Sequence, residues 1–168
     1  MAEIIKVYRE SLPKVKLVGR RYTDADRDQF GGFGQKWGEW FATGLFEPLD
    51  QLTQLTDEQN GYVGCMRFQG EMEYWIGALT THEGPLPEGY DHVDIPAGDI
   101  AVCWIHGRED TGEIYSPQVY HECVERVKEQ GWQLAEGAWS FERYHCPRFT
   151  APDQEGKVIL DLCFYLAE

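Results

Sequence analysis

Glu142 and Tyr144 are the residues whose types and spacing offer the clearest chemistry in this chain. They lie in the alternating run Phe141-Glu142-Arg143-Tyr144. On a strand, residues two apart share a face, so this run places a carboxylate beside a phenol on one surface. A carboxylate among aromatic rings attracts a flat organic cation through its charge and through the negative faces of the rings. The alternative reading is a solvent-facing strand glutamate beside a core phenylalanine. The chain carries 6 Trp, 9 Tyr and 8 Phe, more large rings than a core of this size requires, so some are expected to line a cavity or an interface. Trp37, Trp40 and Phe41 recur at helical spacing, Trp75 and Trp104 sit in strand-like runs, and Phe164 lies in the last strand. With Glu142 and Tyr144 these six form the candidate ligand-binding set.

Other chemistries lack their signatures. The five histidines are scattered and the five cysteines form no CxxC pair, so neither a metal site nor a disulfide framework is expected. No nucleophile elbow, catalytic triad spacing or phosphate-binding glycine loop is present. Gly31-Gly32-Phe33-Gly34 does not directly follow a strand, so it is not a dinucleotide fingerprint. No cofactor is implied. The net charge of −14 disfavours nucleic acid and anionic membranes, which both require basic surfaces, and weakly favours cationic ligands. The N-terminal run is no signal peptide and no apolar stretch is long enough to span a bilayer, so a cytoplasmic location is expected.

The elements that would position these residues fall into a repeat. Strands are expected over Ile4–Tyr8 and Val15–Tyr22, a helix over about Phe33–Thr43, and a hairpin of Tyr62–Phe68 with Met72–Thr80. Glycines within the first helix suggest close packing against its backbone, and Gly77 beside Trp75 suggests room for a ligand above the sheet. After a Pro-rich loop come the run His92-Val93-Asp94-Ile95, a turn at Pro96-Ala97-Gly98, a strand over Ile100–His106 and a helix begun by Ser116-Pro117 and closed by Gly131. Strands over Ala138–His145 and Lys157–Leu166 follow. Each half, about 1–83 and 90–168, therefore reads strand, helix, strand, strand. The expected fold is α+β: duplicated β-α-β-β units with pseudo-twofold symmetry, and a curved antiparallel sheet with both helices on one face. A groove between the helices is the natural ligand site.

Several motifs in that order resemble the GyrI-like small-molecule-binding domains, the effector-binding domains of bacterial transcription activators, and in particular their stand-alone, integron-associated type. They are Tyr74-Trp75-Ile76-Gly77, the turn Ile95-Pro96-Ala97-Gly98 into an apolar strand, Gly107, Trp132, Phe141-Glu142-Arg143-Tyr144 and Leu160-Asp161-Leu162-Cys163-Phe164. The resemblance implies one domain over 1–168 that binds cationic, hydrophobic or aromatic compounds between its halves, with Glu142 at the pocket floor. It leaves two alternatives: hydrolysis of strained-ring alkylators by the same glutamate, or protein interaction of the gyrase-inhibitor kind. The chain departs from the family pattern at Ile105, Cys163 and Tyr165. With the first strand at the N-terminus, no helix-turn-helix module is expected, so regulation would pass through a protein partner such as a DNA-binding regulator. Monomer and homodimer both remain open.

Overall fold

The structure, a computed structural model, describes residues 1–52 and 54–168. Eight strands form one antiparallel sheet: β1 (Glu3–Leu12), β2 (Val15–Tyr22), β3 (Tyr62–Phe68), β4 (Met72–Thr80), β5 (Asp91–Ile95), β6 (Gly98–Arg108), β7 (Ser140–Tyr144) and β8 (Lys157–Tyr165). Two α-helices accompany them, α1 (Gly34–Ala42) and α2 (Pro117–Glu129). The strand order is β1-β6-β8-β7-β3-β4-β2-β5. The halves meet where β7 pairs with β3, and the order on either side is the same, as the repeat predicts. The repeat does not disclose an exchange. β1 precedes β2 in the chain yet pairs with β6 of the other half, and β5 precedes β6 yet pairs with β2. β1 also runs on to Leu12, beyond the expected end at Tyr8, because β6 offers it partners as far as Gly98.

This exchange dictates the curvature. β1 and β2 stand six strand spacings apart, about 28 Å if the sheet were flat. The two residues that join them, Pro13 and Lys14, allow a span of only about 11 Å. The link from β5 to β6 through Pro96 and Ala97 makes the same demand. The sheet therefore curls until its edges approach. One apolar cluster takes residues from all eight strands, among them Leu12, Leu17, Val63, Trp75, Ile95, Val102, Phe141 and Cys163, and this is the inner face.

The outer face carries both helices. Directly paired residues share a face, so Ile76, Gly64, Glu142 and Leu162 form one row across β4, β3, β7 and β8. Ile76 packs under α1 with Val18, Trp40 and Phe46, and Leu162 packs under α2 with Cys103, Val119 and Cys123. Two further bonds pin α1 to the sheet. The indole N–H groups of Trp37 and Trp40 donate to the phenol oxygens of Tyr74 and Tyr22, at 2.8 and 2.9 Å. Those two tyrosines are themselves a directly opposed β2–β4 pair. The signals that bound α2 act as read: the Ser116 hydroxyl accepts the Val119 N–H, Pro117 opens the helix, and Gly131 beyond its end has φ of 83°.

Two readings of glycine are corrected. Nothing packs tightly against the glycines of α1: a Cβ at Gly34 would meet only Asp28 Oδ2, at an ordinary 3.7 Å, and one at Gly38 nothing within 4 Å, because both positions face solvent. Gly38→Ala is therefore expected to stabilise the fold by about 0.5–1 kcal/mol, since only helix propensity changes. Thermal melts would check this, and a lowered Tm would show that the open space has a use. Gly77 gives no room to a ligand. A Cβ there would lie 2.0 Å from the Val18 carbonyl oxygen, so the missing side chain serves the close approach of β2 and β4.

Candidate ligand groove

Glu142 lies in the middle row of the outer face, between the apolar clusters of α1 and α2. Directly opposite it on β3 is Gly64. A Cβ at Gly64 would sit 2.5 Å from the Tyr74 hydroxyl and 3.2 Å from the Trp37 ring, so only glycine lets those rings lie across the sheet beside the carboxylate. Phe33 stacks on Tyr74 from behind, with centroids 4.1 Å apart. The Trp37 ring meets Tyr144 edge-on at 4.8 Å, and Phe149 meets the same tyrosine at 4.7 Å. Tyr115, in the short turn Glu113–Tyr115 before α2, completes the set from the other side. It is 43% exposed and stands at the rim.

The electrostatics are those of a charge lacking a counter-ion. The Tyr144 hydroxyl donates to Glu142 Oε2 at 2.5 Å, and among the described residues no basic group pairs with this carboxylate. Burial pushes the Glu142 carboxyl up, and the Tyr144 hydrogen bond offsets part of that rise. The phenols of Tyr74, Tyr115 and Tyr144 are raised, chiefly by burial and then by the neighbouring Glu142 charge. Protein atoms crowd Glu142 densely, yet it keeps solvent-accessible surface.

The other enclosed charges are neutralised on the inner face. Arg143 donates to Glu10 at 3.0 and 3.2 Å and to Asp161 at 2.9 Å, and Arg148 donates to Asp161 at 2.6 and 3.1 Å. Glu73 takes Arg67 at 3.0 Å and the Trp75 indole N–H at 2.7 Å. Asp161 and Glu73 are thus both occupied.

Of the eight candidate residues, the structure brings Glu142, Tyr144 and Trp37 together, with Phe41 beside Trp37 as a 62% exposed ring at the outer edge. It does not bring the other four. Trp75 and Trp104 fall on the inner face, because they pair with Cys65 and Asp161, which share the parity of Phe141 and Arg143. Trp40 is fully buried beneath α1, and Phe164 is core under α2 against Tyr120. Sequence reasoning passed over Gly64, Tyr115 and Phe149. Tyr74 lies in a quoted motif, with no role assigned to it there. The strand alternation of Tyr74-Trp75-Ile76 held the signal for Tyr74; Tyr115 and Phe149 lie outside strands and carried none. Among the described residues no group of side chains is arranged to hold a metal ion, and no helix is long and apolar enough to cross a membrane.

No protein-family model and no curated protein matches the sequence. Solved structures do match. SAV2435 bound to tetraphenylphosphonium aligns over 97% of this chain and 94% of its own, with a TM-score of 0.73 at 18% identity. The EcmrR C-terminal domain aligns over 97% and 98%, at 0.64 and 14%. The integron cassette protein VCH_CASS2 from the mobile metagenome of Vibrio cholerae aligns over 99% of each chain, at 0.53 and 15%. What these likenesses establish is the architecture: the chain has the α+β fold of the GyrI-like effector-binding domains.

Proposed function

We propose that residues 1–168 form a single effector-binding domain that takes hydrophobic, aromatic cations into the groove between α1 and the 113–117 turn, with Glu142 reading the positive charge. One observation carries this reading. Glu142 is the enclosed carboxylate left without a basic partner, and Trp37, Tyr74, Tyr115 and Tyr144 surround it. A bound cation would offset the desolvation of the carboxylate and gain the ring faces as well. The tetraphenylphosphonium held by SAV2435, a protein of the same fold, supports a ligand of this class. A regulatory output would pass to a DNA-binding partner through the occupied groove.

Trp37 makes the site spectroscopically visible. Titration of tetraphenylphosphonium is expected to quench tryptophan fluorescence saturably, and the neutral triphenylphosphine oxide to bind far more weakly. The affinity should also depend on pH. Burial raises the Glu142 pKa above its unfolded value, so below the ordinary carboxylate range the groove holds a neutral acid. As pH climbs through the raised pKa the acid ionises, the apo fold takes on the cost of a buried charge, and cation affinity rises. Stability of the apo protein should fall over the same window in which affinity increases. Equal binding of the cation and the phosphine oxide, or affinity indifferent to pH between 4 and the plateau, would overturn the reading.

A further inference from the structure

A cavity of about 440 Å³ adjoins the groove beyond Tyr144, at the ends of β3, β4 and β7. Leu49, Leu52, Leu55, Ala78 and Leu79 supply apolar walls, and Tyr62 and Tyr144 stand together on its sheet side. Those two tyrosines are directly opposed in the β3–β7 pairing, so their Cα atoms are about 5 Å apart. Their hydroxyls part company. That of Tyr144 donates to Glu142, and that of Tyr62 donates to both oxygens of Asp50, at 2.9 and 3.1 Å. Asp50 lies on the cavity wall, and among the described residues no basic group pairs with it. Burial, the Asp50 hydrogen bond and the Asp50 charge push the Tyr62 phenol up to about 12, so the hydroxyl stays a donor. The cavity and the proposed groove thus share a tyrosine wall, and each presents a phenol-bound carboxylate without a counter-ion.

We infer that this cavity is a second subsite, and that the ligand class is an elongated dication: one cationic head on Glu142, an apolar spacer past Tyr144, and a second cationic head at Asp50. The inference rests on the proposed groove and extends it. A 440 Å³ space with leucine walls suits an aryl or alkyl segment. A lone carboxylate at its edge rewards a positive terminus over a neutral one. Asp50 is exposed, so its contribution is that of a partly solvated ion pair.

Cys146 supplies the test, because it lines the cavity and is the one exposed cysteine among five. The probes are 1,5-bis(4-amidinophenoxy)pentane, its analogue with one amidine removed, and benzamidine as a bare head group. Iodoacetamide labelling followed by intact mass should be slowed by the bis-amidine and by the long mono-amidine, but not by benzamidine. In calorimetry the bis-amidine should bind more tightly than the long mono-amidine. Asp50→Asn should cut that advantage about fivefold and leave the mono-amidine unchanged. Glu142→Gln should weaken all three. If Glu142→Gln weakens binding but Cys146 stays unprotected, or Asp50→Asn leaves the ratio intact, the second subsite is overturned while the groove stands. If Cys146 is protected and the Asp50 effect appears without any Glu142 effect, the cavity stands and the reading of Glu142 falls. If no amidine binds, both fall.

Discussion

Glu142→Gln is expected to lower the affinity for tetraphenylphosphonium by ten- to a hundredfold and to leave the affinity for a neutral analogue nearly unchanged. Glutamine keeps the shape of the side chain and can still accept from the Tyr144 hydroxyl, so the aromatic walls should hold their positions. What disappears is one charge in a partly desolvated place, where an interaction with a charged partner contributes about 1.5–3 kcal/mol. The apo protein should move the other way. Burial and the lack of a basic partner make ionising Glu142 among phenols costly to the empty wild type, whereas glutamine carries no such cost. A raised Tm for the empty variant together with weakened cation binding is therefore the paired signature. Truncating Trp37 to alanine should instead weaken charged and neutral ligands alike, because it removes wall and not charge. If the neutral ligand loses as much as the cation on Glu142→Gln, Glu142 shapes the groove without reading charge.

Arg143→Met should cost the fold substantial stability. The guanidinium is fully buried on the inner face and satisfies two carboxylates from distant parts of the chain, Glu10 on β1 and Asp161 on β8. Methionine fills a similar volume, so the loss is electrostatic. Asp161 would keep Arg148 and Glu10 would keep Gln59, which limits the damage. Removing one partner of a buried pair typically costs about 3–5 kcal/mol, and partial compensation places the expectation near the lower end. For a domain of this size that is roughly 6–12 °C in Tm. Urea denaturation of wild type and variant measures it, and a loss under about 1 kcal/mol would show that the network contributes little. Since Arg143 and Glu142 are neighbours on opposite faces, the two substitutions separate fold from site: one should lower stability, the other ligand affinity.

Much of this protein is legible from local chemistry. Ser116-Pro117 and Gly131 bound α2 because capping and φ preferences act within a few residues. Alternation in Phe141-Glu142-Arg143-Tyr144 assigns Glu142 and Tyr144 to one face because a strand has period two. The repeated strand-helix-strand-strand order discloses the two halves and, with the GyrI-like motifs, the fold. Local chemistry cannot say which face of one strand coincides with which face of another. That parity is set by long-range register, and it sends Trp75 and Trp104 inward while Tyr74 joins Glu142. It also sets Gly64 opposite Glu142, 78 positions away in the sequence, so that two rings can lie beside the carboxylate. The exchange of β1 and β5 between halves follows from how two-residue links close a curled sheet, which no single element reveals. Most of all, composition shows 29 acidic side chains and 15 basic ones without saying which acids lack a partner. Arg143 reaches Glu10 across 133 positions and Arg148 reaches Asp161 from a loop. Only when those pairs have formed in three dimensions does Glu142 stand out as the enclosed carboxylate with no cation of its own.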